Sequence, residues 1–154
     1  MQGGDDLPLG SAITPNLDQF QQLAASADTG PVVMVNLLKF RNGDAPDGVT
    51  GVEEYRRYGD AALEMIAAQG GRLLWAGTGD QVLIGDAEQD WDAVLLVEYP
   101  SRAAFVEMVS SPEYLEAHAY RERALERTVV IACSPAPFDS PAPFDTPAPF
   151  DTDT

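Results

Sequence analysis

Two stretches of the chain are almost continuously apolar, Pro31 to Phe40 and Trp91 to Tyr99, and both are rich in β-branched residues. Their length and composition predict strands buried on both faces. The first carries an amide, Asn36, in the middle of its run. A buried amide without partners costs roughly 1–3 kcal/mol, so the position needs an explanation. Elsewhere the period is helical. Thr14-Pro15 reads as an N-cap and first-turn proline ahead of a stripe of Leu17, Phe20, Leu23 and Ala24. Thr50 and Glu53 have capping-box spacing, followed by a face of Val52, Tyr55, Gly59, Ala62 and Ile66, and Gly70-Gly71 stops that helix. Arg72 to Ala76 reads as a second strand, and Gly77-Thr78-Gly79-Asp80 as a turn into a short partner strand, Gln81 to Ile84. Ser101 caps a helix that buries Phe105, Met108 and Val109. Ser111-Pro112 starts another, on which Tyr114, His118, Arg121 and Leu125 share one face. Thr128 to Cys133 is the last strand.

The resulting order, β-α-β-(β)-β-α-β after an extra N-terminal helix, predicts an α+β, ferredoxin-like split βαβ sheet with helices on one face. Both faces of Val32 to Phe40 are apolar: Val33, Val35 and Leu37 oppose Val32, Met34 and Leu38. Helices cover only one face, so the other is expected to pack on a second copy, giving a homodimer. The expected layout is a loose N-terminus over 1–13, the folded unit over 14–133, and a low-complexity tail over 134–154.

That tail repeats a Ser/Thr-Pro-Ala-Pro-Phe-Asp unit over Ser134–Asp139, Ser140–Asp145 and Thr146–Asp151. Such a composition predicts a solvated, extended and disordered segment. The alternative is a threefold docking motif that presents Phe-Asp to a protein partner.

Composition narrows the partners. The chain has 25 acidic and 9 basic residues among its 154, a net charge of −16. That balance disfavours nucleic acid and anionic membrane surfaces; it equally fits high-salt adaptation or plain solubility. One cysteine, Cys133, excludes an internal disulfide, and no apolar run reaches the ~20 residues of a membrane span. Met1 to Asp6 lacks the features of a signal peptide, so a cytoplasmic location is expected.

Several of these residues resemble a known family when taken together: Pro31 to Phe40, Tyr55 to Tyr58, Gly70-Gly71-Arg72, Trp91 to Val94, Glu98 to Ser101, Ala104-Phe105, Tyr114 and Arg121. The combination, from about Gly30 to Cys133, resembles the bacterial family named domain of unknown function 1330, within the dimeric α/β-barrel superfamily. The resemblance implies a ferredoxin-like protomer whose sheet pairs into a barrel. Relatives in the superfamily include cofactor-free monooxygenases of aromatic polyketides, cyclases, isomerases and haem enzymes, many with a pocket between sheet and helices. Members often carry a His-Arg pair where this chain has Tyr120-Arg121, with His118 half a turn away.

The candidate chemistry is that of a small hydrophobic or aromatic ligand, with no cofactor. Asn36 either holds a carbonyl or enolate oxygen or satisfies neighbouring backbone. His118, the single histidine, is a candidate general base or an ordinary surface residue. Arg121 and Arg72 suit a carboxylate or phenolate, or a salt bridge with one of the many acids. Tyr55 and Tyr58 are candidate phenolic donors or core and rim residues. Trp75 is a candidate lining residue for an aromatic cavity, or packs in the core or at the dimer seam. Asn36, His118 and Arg121 are thus the catalytic candidates, and Tyr55, Tyr58, Arg72 and Trp75 the substrate-binding ones. One histidine and one cysteine exclude a His-rich metal site within one protomer, so no metal is expected. Cys133 reads as a buried small hydrophobe. The chain lacks Gly-x-Ser-x-Gly and a Gly-rich phosphate loop.

Overall fold

The computed structural model describes residues 10–43 and 47–135. In chain order the elements are α1 (Leu17–Ala24), β1 (Val32–Phe40), α2 (Gly51–Ala68), β2 (Arg72–Thr78), β3 (Ala93–Tyr99), α3 (Arg102–Val109), α4 (Pro112–Ala124) and β4 (Leu125–Cys133). The four strands form one antiparallel sheet in the order β2-β3-β1-β4. This is the ferredoxin-like α+β arrangement, with each βαβ crossover skipping one strand.

The caps of the later helices follow the sequence. Thr50 and Glu53 form a reciprocal capping box, and Ser101 and Ser111 each accept a backbone N–H of the helix they start. Gly70 ends α2 at a φ of +84°, a conformation glycine adopts without strain. The first helix starts later than its Thr14-Pro15 signal. Asn16 is its cap, with Gln19 completing the box at 2.8 and 3.1 Å. Thr14 and Pro15 instead close a turn, accepting from the Ser11 and Gly10 backbone N–H groups. Asn-x-x-Gln satisfies two orphan donors at once and outcompetes a lone threonine.

Two further expectations need correction. Gln81 to Ile84 form no strand; residues 79–92 are a connection with one short 3-10 turn, Ala87–Gln89. The glycines ahead of it read as a turn but serve the strand. The Gly79 N–H donates to the Asp92 carbonyl at 2.9 Å, and a Cβ on Gly79 would collide with the Trp91 carbonyl. Leu83 and Ile84 are left 85 % and 91 % exposed. On α2, Val52 is exposed and Glu54 is buried at 1 %. The reason is a cross-helix pair: Arg123 of α4 donates to the Glu54 carboxylate at 2.9 Å, with Arg57 at 3.6 Å. The two helices meet so closely that a Cβ on Gly51 would lie 2.7 Å from the Ala124 carbonyl.

The sheet separates two environments. On one side Val32, Met34 and Val97 pack with Ala62 and Ile66 of α2, Met108 and Val109 of α3 and Tyr114 of α4. The outer side carries Val33, Val35 and Leu37, with Leu96 and Ile131 flanking Val35, Val94 opposite Leu37 and Trp75 beside Leu96. Cys133 faces this side half-buried, rather than within the core. Trp91 precedes β3, and the Arg127 guanidinium lies 4.3 Å from its ring centre.

The N-terminal segment is tied down from residue 10 onward, not loose to residue 13. Ala12 accepts from the Thr128 N–H of β4 at 3.2 Å, and the Ile13 carbonyl accepts from Arg121. Of the repeat tail, residues 136–154 lie outside the described residues. No helix among the described residues is long and apolar enough to cross a membrane.

Candidate functional site

A cavity of about 600 Å³ lies between the helix side of the sheet and the helices, bordered by Ser11 to Pro15. That volume falls within the range of small-molecule sites. Even-numbered β1 residues face it, and so Asn36 lines it together with Met34. Their antiparallel partners Leu95 and Val97 form the floor on one side, and Val130 and Ala132 on the other. The Asn36 Nδ2 donates to the Met34 carbonyl at 3.1 Å. Its Oδ1 has no hydrogen-bond partner among the described residues. One end of this amide thus serves neighbouring backbone, as the structural reading of the sequence expected, and the residue also lines the cavity.

The helical spacing on α4 brings Tyr114, His118 and Arg121 to the same cavity, 6 %, 3 % and 8 % exposed. His118 is not a surface residue. Its Nδ1 lies 3.9 Å from the Glu122 carboxylate, beyond hydrogen-bond reach, and its buried Nε2 has no partner among the described residues. Burial, and then the neighbouring Arg121 charge, push its pKa down from 6.5 to about 4. The ring is therefore neutral at pH 7.

Tyr55 and Tyr58 line the cavity from α2. The Tyr58 and Tyr114 hydroxyls share a hydrogen bond of 2.8 Å. Edge and tilted contacts link the aromatic rings in series from Phe40 through Tyr55, Tyr58 and Tyr114 to His118. Burial raises the Tyr55 pKa to about 12 and holds Tyr58 and Tyr99 well above the ordinary phenol value. All three stay protonated at neutral pH and can donate.

Arg72 and Trp75 do not join the cavity. Arg72 is on the outer side, paired with Glu98 at 3.0 Å, the salt bridge weighed against ligand binding. Trp75 lies 54 % exposed on the outer side, its ring over Gly77, where an added Cβ would collide with it. A β-bulge between Leu73 and Trp75 puts Arg72 and Trp75 on the same outer side, where strict alternation would separate them. The sequence reading left out Tyr99, Thr128 and the Ile13 carbonyl. Tyr99 and Thr128 were recoverable from strand parity. A backbone carbonyl delivered by a turn has no side-chain signal.

Tyr120 lies outside the cavity lining, with the Arg123 guanidinium 4.9 Å from its ring centre. Lys39 is held by Asp90 and Asp92 at 3.2 and 3.4 Å. No group of three or more His, Cys, Asp or Glu among the described residues could hold a metal ion.

The model of the family described as domain of unknown function (DUF1330) matches residues 48–134. The chain belongs to this family. β1, which carried much of the resemblance, precedes the matched span. The protein of unknown function RPA0582 from Rhodopseudomonas palustris is 38 % identical, covering 82 % of this chain and 98 % of its own, with a TM-score of 0.76. Its methylated form gives 38 % identity, 83 % and 97 % coverage, and a TM-score of 0.75. A hydroxynitrile lyase from Passiflora edulis shares the fold alone, at 14 % identity, 69 % and 94 % coverage, and a TM-score of 0.50. No curated protein matches the chain.

Proposed function

We propose that the cavity binds a small hydrophobic or aromatic molecule, and that the protein is a cofactor-independent enzyme acting on it. The observation that carries this reading is the unpartnered Nε2 of a buried, neutral His118 within the cavity. A buried polar atom without a partner costs stability, and groups of this kind cluster where function supplies the partner. His118 is the proton acceptor. Arg121 and the protonated phenols are donors for ligand oxygens, on which charge develops when a proton is removed, and the Asn36 Oδ1 is an acceptor for a ligand hydroxyl. An anion beside Arg121 cancels one of the two causes of the low His118 pKa and so strengthens this base.

The functional unit in this reading is a homodimer. The outer side of the sheet exposes Trp75, Val129 and Ile131 by 54 %, 38 % and 48 %, an apolar face that a second copy would cover. Ile131→Asp should convert the dimer to a folded monomer in sedimentation velocity; a wild-type monomer removes this part of the proposal. The docking role of the Phe-Asp repeats rests on residues outside those described, and no structural observation favours it.

Native mass spectrometry of protein purified gently from its own host tests the site. A discrete extra mass, lost in both Asn36→Ala and His118→Gln while circular dichroism stays native, is the expected result. Both variants unfolding would assign these residues to the core and defeat the proposal.

A further inference from the structure

The chain carries 25 acidic residues, yet among the described residues none lines the cavity. Its full positive charge is Arg121, 8 % exposed. Among the described residues that guanidinium makes one hydrogen bond, from Nη1 to the Ile13 carbonyl, and no ion pair. Among the described residues the other full charge buried to this degree, Glu54, is paired with Arg123 at 2.9 Å and Arg57 at 3.6 Å. A buried cation without a counter-ion is costly, and an arginine fork with donors to spare matches a planar carboxylate.

We infer that the cavity takes an apolar monocarboxylate whose carboxylate pairs with the Arg121 N–H groups not spent on Ile13. The inference rests on the preceding reading that the cavity is a ligand site, and it names the ligand class. A neutral ligand would leave the cation uncompensated. A dianion, such as a phosphate monoester, would place one excess negative charge among phenols and a neutral imidazole, with no second cation in the lining among the described residues. The rest of the ligand is apolar because Phe20, Met34, Leu95, Val97 and Phe105 form the walls.

The test is calorimetric titration of the full chain with 2-naphthoate and with 2-naphthylmethanol, which share one ring system and differ in charge. The carboxylate should bind at least about tenfold more tightly, about 1.4 kcal/mol. Arg121→Gln should abolish that preference, and Arg121→Lys should keep part of it. The wild-type comparison stands even if the glutamine variant fails to fold. The imidazole proton signal of the single histidine should shift only with the bound ligand and locate it in the cavity. Equal or tighter binding of the alcohol, with that shift, overturns the carboxylate inference and leaves the cavity reading in place. Neither compound binding or moving the histidine signal overturns both.

Discussion

His118 should make this protein lose stability on mild acidification, before its carboxylates begin to protonate. The ring is 3 % exposed, and its pKa falls from 6.5 in an unfolded chain to about 4 in the folded one, through burial and then the Arg121 charge. Glu122, 3.9 Å away with a side chain 50 % exposed, does not offset these causes. The sign follows from proton counting. Between these two pKa values the unfolded chain binds a proton that the native chain refuses, so stability falls as pH falls. The contribution is fully present above 6.5 and lost on the way down to about 4. A shift of that size is worth at most about 3 kcal/mol. Asp28, Glu53 and Asp90 are held below their ordinary values by hydrogen bonds, so their losses come at lower pH and are common to wild type and variant. Urea unfolding of wild type and His118→Gln from about pH 7 to pH 4.5 isolates the histidine as the difference between the two profiles. That difference should shrink by about 2 kcal/mol over this range. The single imidazole also gives one proton signal, whose titration midpoint should lie near 4. Parallel profiles, or a midpoint at the unfolded value, would refute a desolvated histidine.

Three perturbations test the surrounding framework. Arg123→Ala leaves the buried Glu54 carboxylate with Arg57 at 3.6 Å and should cost about 2 kcal/mol in urea unfolding; an unchanged midpoint would mean that water already serves this carboxylate. Tyr58→Phe removes the 2.8 Å bond to the buried Tyr114 hydroxyl and should cost about 1 kcal/mol, read as a lower thermal midpoint. Gly79→Ala should cost about 1–3 kcal/mol, because its Cβ meets the Trp91 carbonyl rather than open space. A neutral effect in the same assay would show that the β2–β3 connection yields freely.

The fold was legible because periodicity and caps agreed. Val32 to Phe40 and Ala93 to Tyr99 are long enough, and β-branched enough, to admit only strands. Thr50, Ser101 and Ser111 each put a hydroxyl where a helix has orphan N–H groups. The errors came where one residue type serves two purposes. Glycine marks a tight turn and also a close backbone approach. At Gly79 the second purpose rules, and at Gly77 the Trp75 ring takes the place of a side chain, so β2 runs on to Thr78 where a hairpin turn was predicted. The burial of Glu54 has no local signal because its partner, Arg123, lies far along the chain on another helix. Composition cannot show that pairing.

The site divides along the same line. Tyr114, His118 and Arg121 share a cavity because helical spacing places them on one stripe, and that stripe is visible in the sequence. Whether the stripe meets solvent or a cavity depends on what covers it. Here the cover comes from the turn at Ser11 to Pro15, held by the Ala12 and Ile13 carbonyls, which the sequence reading treated as partly loose. Arg121 thus has two duties. It anchors the segment that borders the cavity, and it supplies the positive charge inside. A ligand that engages the remaining guanidinium N–H groups acts on the same residue that holds this segment. Ligand binding and the anchoring of that border would therefore draw on one side chain. This is why Arg121→Lys, which keeps the charge but not the planar fork, should weaken binding more than loss of one hydrogen bond alone would require.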